Sequence, residues 1–213
     1  MVDIFYSRQA CNTYVMFNEH NEGFLVDPGY NHNNVLIDHL KKIGVNLRGI
    51  LITHAHFDHI AALEDILKLY PDAKVYIHEE ELDILINPEL NLSCEDVDWL
   101  THELIFKPKS LILLTDNEEF EVSGFKIKCL HTPFHTKGSS CYLVKHEKAL
   151  FTGDSLFFTT IGRTDLPTGS NRTIESSLMK IKSLPDGLKV YPGHGIITDL
   201  DREKKHNQYL RNI

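Results

Sequence analysis

The sequence predicts an α/β (α+β) fold in which two β-sheets pack face to face with helices on their outer sides. Three observations predict it. Runs rich in β-branched and aromatic residues recur in both halves of the chain, helix-period stretches fall between and after them, and no Pro-, Gly- or Ser-rich linker separates the halves. At 213 residues the chain is long enough for a sizeable core, so one domain spanning 1–213 is expected.

The elements follow in order. Strands are predicted at 2–6, 12–18 and 22–27, the last closing on the turn Asp27-Pro28-Gly29. Val35, Ile37, Leu40 and Ile43 make one apolar face of a helix over 33–43, stopped by Gly44. Arg48–Thr53 reads as a buried strand, and a helix over about 59–69 ends before Pro71. A strand at 73–78 precedes an irregular, mostly helical stretch, 79–105, with Trp99 among acidic residues. The second half repeats this logic, with strands at 110–114, 118–122, 125–131, 139–146 and 148–152. A loop, 155–171, carries Gly162, Pro167 and Gly169; a helix at 173–183, a strand at 188–191 and a helix at 199–210 complete the chain.

Composition removes several function classes. No apolar run approaches the roughly 20 residues of a membrane span. The stretch from Met1 to Arg8 carries Asp3 where a signal peptide needs a basic start, so a cytoplasmic protein is expected, with no membrane partner. Cys11, Cys94, Cys129 and Cys141 form no C-x-x-C pair and read as reduced thiols. A net charge of −8 argues against a nucleic-acid groove.

The sharpest signal is Thr53-His54-Ala55-His56-Phe57-Asp58-His59, an H-x-H-x-D-H run directly after a strand, in a chain with 13 histidines. Three imidazoles and a carboxylate converging on one turn suit zinc, and also iron or manganese. His131, His135, Asp154 and His194 each follow another predicted strand beside Gly or Pro. Taken singly, each also reads as an ordinary turn residue. Taken with the histidine run, they supply more donors than one ion uses, so two ions are expected. G-x-S-x-G is absent, which leaves a serine nucleophile unsupported. Cys129 and Cys141 fall inside strands and read as packed core thiols.

With these motifs in hand, the chain resembles the metallo-β-lactamase superfamily, and within it the glyoxalase II-like (hydroxyacylglutathione hydrolase-like) hydrolases. The likeness rests on L-V-D-P-G at 25–29, T-H-A-H-F-D-H at 53–59, H-T-P-F-H-T-K-G-S at 131–139, F-T-G-D-S-L-F at 151–157, I-G-R-T-D-L-P-T-G-S at 161–170 and Y-P-G-H-G at 191–195. The resemblance implies a four-layer αββα sandwich. It implies that His54, His56 and His135 bind one metal ion, that Asp58, His59 and His194 bind a second, and that Asp154 bridges them. Asp58 and Asp154 would carry the catalysis, Asp27 would orient a ligand imidazole, and His131 would lie outside the ligand set.

The implied reaction is hydrolysis of a small acyl thioester such as S-lactoylglutathione by a hydroxide held between two divalent ions, zinc first among them. The alternative is a persulfide dioxygenase with one iron, held by His54, His135 and Asp154. Arg163 reads either as a clamp for a substrate carboxylate or as a surface partner of Asp165. Phe157-Phe158 reads as core, and Lys204, Lys205 and Arg211 as solvated helix charges. Gly195-Ile196 follows His194 where full-length glyoxalase II has Glu-Tyr, and no C-terminal glutathione-binding helical domain is expected. A β-lactamase role is not expected, since an export signal is lacking.

Overall fold

The computed structural model describes residues 1–7, 10–94, 98, 100 and 103–213; Trp99 and part of the stretch 79–105 lie outside the described residues. The strands β1 (Val2–Phe5), β2 (Thr13–Phe17) and β3 (Glu22–Val26) pair antiparallel in succession. The helix α1 (Val35–Ile43) ends on Gly44 in the left-handed region, φ +69°, and leads to β4 (Asn46–Ile52), parallel to β3. Next come α2 (Phe57–Ile60), α3 (Leu63–Leu69), β5 (Lys74–His78), α4 (Leu82–Leu85), α5 (Pro88–Asn91) and β6 (Leu111–Leu114). Both β5 and β6 extend the sheet in parallel.

The second sheet begins with β7 (Glu119–Val122), β8 (Phe125–His131), β9 (Ser140–Val144) and β10 (Ala149–Gly153), antiparallel in succession. After α6 (Ile174–Lys182), β11 (Lys189–Pro192) joins parallel to β10, β12 (Thr198–Asp199) closes the edge, and α7 (Leu200–His206) and α8 (Gln208–Arg211) follow. The two sheets are ordered β1-β2-β3-β4-β5-β6 and β12-β11-β10-β9-β8-β7. The chain passes from one sheet to the other once, between Leu114 and Glu119.

Period-two alternation builds the layers. Along β2, Tyr14 and Met16 face the opposite sheet while Val15 faces the helices; along β9, Tyr142 and Val144 face inward while Cys141 and Leu143 face outward. Three buried clusters result. One lies between the first sheet and α1 and α3, one between the sheets, and one between the second sheet and α6, α7 and α8. This is the αββα sandwich.

Several expectations need correction. The strand expected at 110–114 with the second half lies in the first sheet, because β6 pairs with β5. The helix expected over 59–69 starts at Phe57 and breaks after Ile60, where the N–H of Ala62 donates to the carbonyl of Pro28 (2.8 Å). The turn after β3 thereby takes the hydrogen bond that would have continued the helix. The helix expected over 199–210 breaks at Asn207, whose side chain accepts from the N–H of Tyr209 (3.0 Å) and so caps a new helix. The two-residue strand β12 is too short to leave a periodic signal.

The strands β3, β4 and β5 run parallel, and β8, β10 and β11 share one sense in the other sheet. The carboxyl ends of these two sets meet at one rim of the sandwich. The N–H of Ser140 donates across that rim to the carbonyl of Thr53 (2.9 Å), and the hydroxyl of Tyr142 donates to the carbonyl of Ile52 (2.8 Å). Among the described residues, no helix is long and apolar enough to cross a membrane.

Candidate metal centre

Asp27 follows β3, His54 to His59 follow β4, His135 follows β8, Asp154 follows β10 and His194 follows β11. The rim brings seven of these side chains together: His54, His56, Asp58, His59, His135, Asp154 and His194. Among the described residues, donor atoms within 4.8 Å of one another form three overlapping groups: His54, His56 and His135; His54, His59 and Asp154; and Asp58, His59 and His194. Asp154 faces both ends of the cluster. Its Oδ2 lies 3.4 Å from Nε2 of His135 and 3.7 Å from Nε2 of His194, and its Oδ1 lies 3.4 Å from Nε2 of His59.

Outer hydrogen bonds fix which ring nitrogen faces inward. The Nδ1–H of His135 donates to the carbonyl of Arg163 (2.7 Å), leaving the Nε2 lone pair toward the cluster. The Nδ1–H of His59 donates to Oδ2 of Asp27 (3.0 Å), which turns its Nε2 toward the cluster. The hydroxyl of Thr53 donates to Oδ2 of Asp27 (2.7 Å) and so can accept from Nδ1 of His54 (3.2 Å). Nδ1 of His56 lies 3.0 Å from Nε2 of His135. Asp27 performs this double duty at φ +52°, a conformation that Asp tolerates better than most side chains.

A buried carboxylate that the sequence reading missed also shapes the centre. Glu81 is fully buried. It accepts from the N–H of Ala55 (2.8 Å), the N–H of Gly138 (3.0 Å) and the hydroxyl of Thr136. Ala55 separates His54 from His56, and Thr136 follows His135, so one side chain ties together the two loops of the first donor group. Within Glu79-Glu80-Glu81 it resembles any solvated acid. The only sequence clue is that it lies just past the end of a buried strand.

Electrostatics sort the groups. Burial, reinforced by neighbouring imidazoles, pushes His54 well below the usual histidine range and His56 down to about 3. For His59, burial opposes the charged form, but the carboxylates of Asp58, Asp27 and Asp154 outweigh it, raising it well above that range. Burial opposes ionisation of Asp58 and Asp154, but the imidazoles, His59 foremost, hold both below the usual carboxylate range.

The residues fit divalent metal ions. Nε2 of His54 and Oδ1 of Asp154 are buried and have no hydrogen-bond partner among the described residues. Such atoms are costly to bury unless they ligate something, and imidazole with carboxylate is the donor set of zinc, iron and manganese. The backbone also makes room. A Cβ on Gly193 would strike Oδ1 of Asp154 and approach Cε1 of His59 to 2.7 Å.

The remaining predicted residues settle differently. His131 stacks on His78 with ring centroids 3.9 Å apart and lies outside the three donor groups. Arg163 borders the cleft above the centre, about 360 Å³ in volume, but its guanidinium pairs with both oxygens of Asp165 (2.6 and 2.7 Å). Phe157, expected in the core, is instead a wall of that cleft with Phe57, Leu92 and Leu166. Phe158 is partly exposed beneath Arg202, 3.9 Å from ring centroid to guanidinium carbon. All four cysteines are free; burial pushes Cys129 up to about 12 and Cys141 up to about 11, as suits packed thiols.

Residues 6–194 match the family model of the metallo-beta-lactamase superfamily. The chain is similar to hydroxyacylglutathione hydrolase GloC of Haemophilus influenzae, 30% identical over 210 residues that cover 96% of this chain and 94% of that protein. Among solved structures it is similar to BLEG-1 B3 metallo-beta-lactamase, with a TM-score of 0.90, 35% identity and 99% of each chain covered. It is also similar to TTHA1623 in a di-iron-bound form, with a TM-score of 0.80, 29% identity and 96% and 98% coverage.

Proposed function

The chain belongs to the metallo-beta-lactamase superfamily, and from that premise we propose that it is a binuclear metal-dependent hydrolase of small acyl thioesters such as S-lactoylglutathione. One observation carries the reading: two donor triads, His54–His56–His135 and Asp58–His59–His194, converge on the single carboxylate of Asp154. In this reading each triad holds one ion and Asp154 is shared. Divalent ions held there supply Lewis acidity toward a carbonyl and a hydroxide nucleophile near neutral pH.

The protein's own groups do the rest. Asp27 and the Arg163 carbonyl hold His59 and His135 in the inward-facing tautomer. Phe57, Leu92, Phe157 and Leu166 give the acyl portion an apolar wall that thins water over the reacting carbon. A thiolate leaves readily without a general acid, which suits a cleft whose acidic lining residues, among the described ones, are the donors Asp58 and Asp154. Arg163 is 63% exposed, so its pair with Asp165 is weak, and a substrate carboxylate can displace Asp165 at small cost.

GloC supports the thioester reading, because its likeness to this chain runs through nearly its whole length. The likeness to BLEG-1 favours a second substrate class, the β-lactam amide. Zinc and iron both suit the donors, and TTHA1623 carries two irons. The test is thiol release from S-D-lactoylglutathione by zinc- and iron-loaded protein, with Asp154→Asn as control. Release that disappears in the control is the expected result. Metal-loaded protein that releases no thiol defeats the thioester reading. Chromogenic cephalosporin hydrolysis and oxygen uptake on glutathione persulfide would then separate the amide hydrolase from a one-iron dioxygenase.

A further inference from the structure

Asn12 belongs to neither triad. It precedes β2 in the first sheet, yet it is buried and grips the loop after β11 in the second. Its backbone N–H donates to the carbonyl of Gly193 (2.7 Å). Its side-chain amide donates to the carbonyls of Gly195 (2.9 Å) and Pro192 (3.1 Å). The amide also reaches the hydroxyl of Tyr14 (3.1 Å), which in turn donates to the carbonyl of Pro192 (2.6 Å). Three carbonyls flanking His194 on both sides are therefore fixed by one residue from across the sandwich.

The preceding residue extends the grip. The N–H of Cys11 donates to the carbonyl of Asp58 (3.2 Å), and its thiol donates to the carbonyl of Asp27 (3.4 Å), the residue whose carboxylate orients His59. The pair Cys11–Asn12 thus touches the backbone of Asp58 and His194 and the residue that orients His59. None of the hydrogen bonds described for this pair goes to His54, His56 or His135.

The dependence is greatest for His194. Its side chain is 40% exposed. The rings of His54, His59 and His135 are each oriented by an outer hydrogen bond on Nδ1. For His194, every described polar contact comes from Nε2 toward other members of the cluster. The placement of this imidazole therefore rests on its backbone, and its backbone rests on Asn12.

We propose that Asn12 is a positioning residue that sets the occupancy of the Asp58–His59–His194 ion position independently of the His54–His56–His135 position; this rests on the two-ion reading above. The test uses the full chain with Asn12→Ala and with Asn12→Ser, which keeps one donor. Zinc bound per chain is measured by mass spectrometry after dialysis against chelator-buffered zinc. The wild-type chain is expected to take up two ions. Asn12→Ala should keep the first and bind the second about 10- to 100-fold more weakly, the usual cost of losing an outer support, with Asn12→Ser between them.

A second readout needs no metal. In imidazole NMR spectra of the metal-free chain, the His194 signals should shift in Asn12→Ala while those of His54 stay. Circular dichroism and melting establish that each variant is folded, and Asn12→Ser carries the comparison if Asn12→Ala is not. Equal weakening of both ions, or unchanged second-ion affinity with unchanged His194 signals, overturns the role of Asn12. A wild-type chain that takes fewer than two ions defeats the two-ion reading, and the metal-free spectra still decide Asn12.

Discussion

The side chains of His54, His56 and His135 are almost completely buried, and Glu81 fastens the two loops that carry them. The Asp58–His59–His194 triad is built otherwise. His59 is fully buried, Asp58 is 21% exposed and His194 is 40% exposed. Its loops are fastened through backbone carbonyls, by Cys11 and Asn12. The loops of the first triad are thus fastened by one buried carboxyl group, and those of the second by the buried, neutral Cys11 and Asn12. A buried carboxyl group with three donors is hard to loosen. An exposed imidazole on a clasped loop can be released by losing one amide. On the two-ion proposal, the contrast predicts a tight first ion position and a weaker, tunable second one.

Four changes would break or sharpen this contrast. Asp154→Asn should erase it, since Asp154 faces both triads. Metal content should fall at both positions and thiol release by about 10³-fold or more, because Lewis-acid stabilisation is worth several kcal/mol. Metal analysis that shows one position untouched would mean that Asp154 serves only one triad.

Glu81→Ala should act on the first triad, leaving the N–H groups of Ala55 and Gly138 without their acceptor. Denaturant unfolding should register a loss of about 2–4 kcal/mol, from unsatisfied groups costing about 1–3 kcal/mol each. Glu81→Gln adds a pH signature. Burial pushes the Glu81 carboxyl up from 4.5 to about 7, despite the donors that favour its charge. Between pH 4.5 and 7 the folded chain therefore keeps a proton that the unfolded chain has lost, and this contribution to stability declines as pH rises through the window. The Glu81→Gln profile should be flatter there than the wild-type one. Parallel profiles would contradict the assignment.

Asp27→Asn should weaken the second ion by about 10- to 100-fold through His59. A smaller effect on the first ion should follow through Thr53 and His54. Titration with a competing chelator would resolve the two, and a larger loss at the first would reverse the expected order. Arg163→Ala, outside both triads, should leave stability almost unchanged, since its ion pair with Asp165 is exposed. Its effect should appear as a higher KM for an anionic thioester with kcat little changed, and an unchanged KM would remove Arg163 from substrate binding.

The layer order and the residues that cluster at the rim were legible because both rest on strong local signals. The unbroken apolar run Tyr14-Val15-Met16 marks a strand with two covered faces, and H-x-H-x-D-H after a strand has few other readings. Of the groups that support the donors, Asp27 came with the resemblance, but Glu81 and Asn12 were not legible. Glu81 and Asn12 act at sequence separations of 26 to 183 residues, through partners that are mostly main-chain groups with no sequence identity to read. The breaks at Ala62 and Asn207 were hidden for a similar reason. Each depends on a hydrogen bond outside helical periodicity: one to Pro28 across the fold, the other a cap that looks like any Asn. Phe157 was misjudged because an aromatic beside a loop looks the same from sequence whether it fills a core or walls a cleft.

The single passage of the chain between the sheets has a consequence for how the halves hold together. A cut in the turn between Leu114 and Glu119 would leave two fragments, each with a whole sheet and its helices. His54, His56, Asp58 and His59 would lie on one fragment, and His135, Asp154 and His194 on the other. Each triad draws two members from the first fragment and one from the second. Bound ions would therefore act as rivets between halves that share a core, and a nicked chain should reassemble more readily with metal than without it.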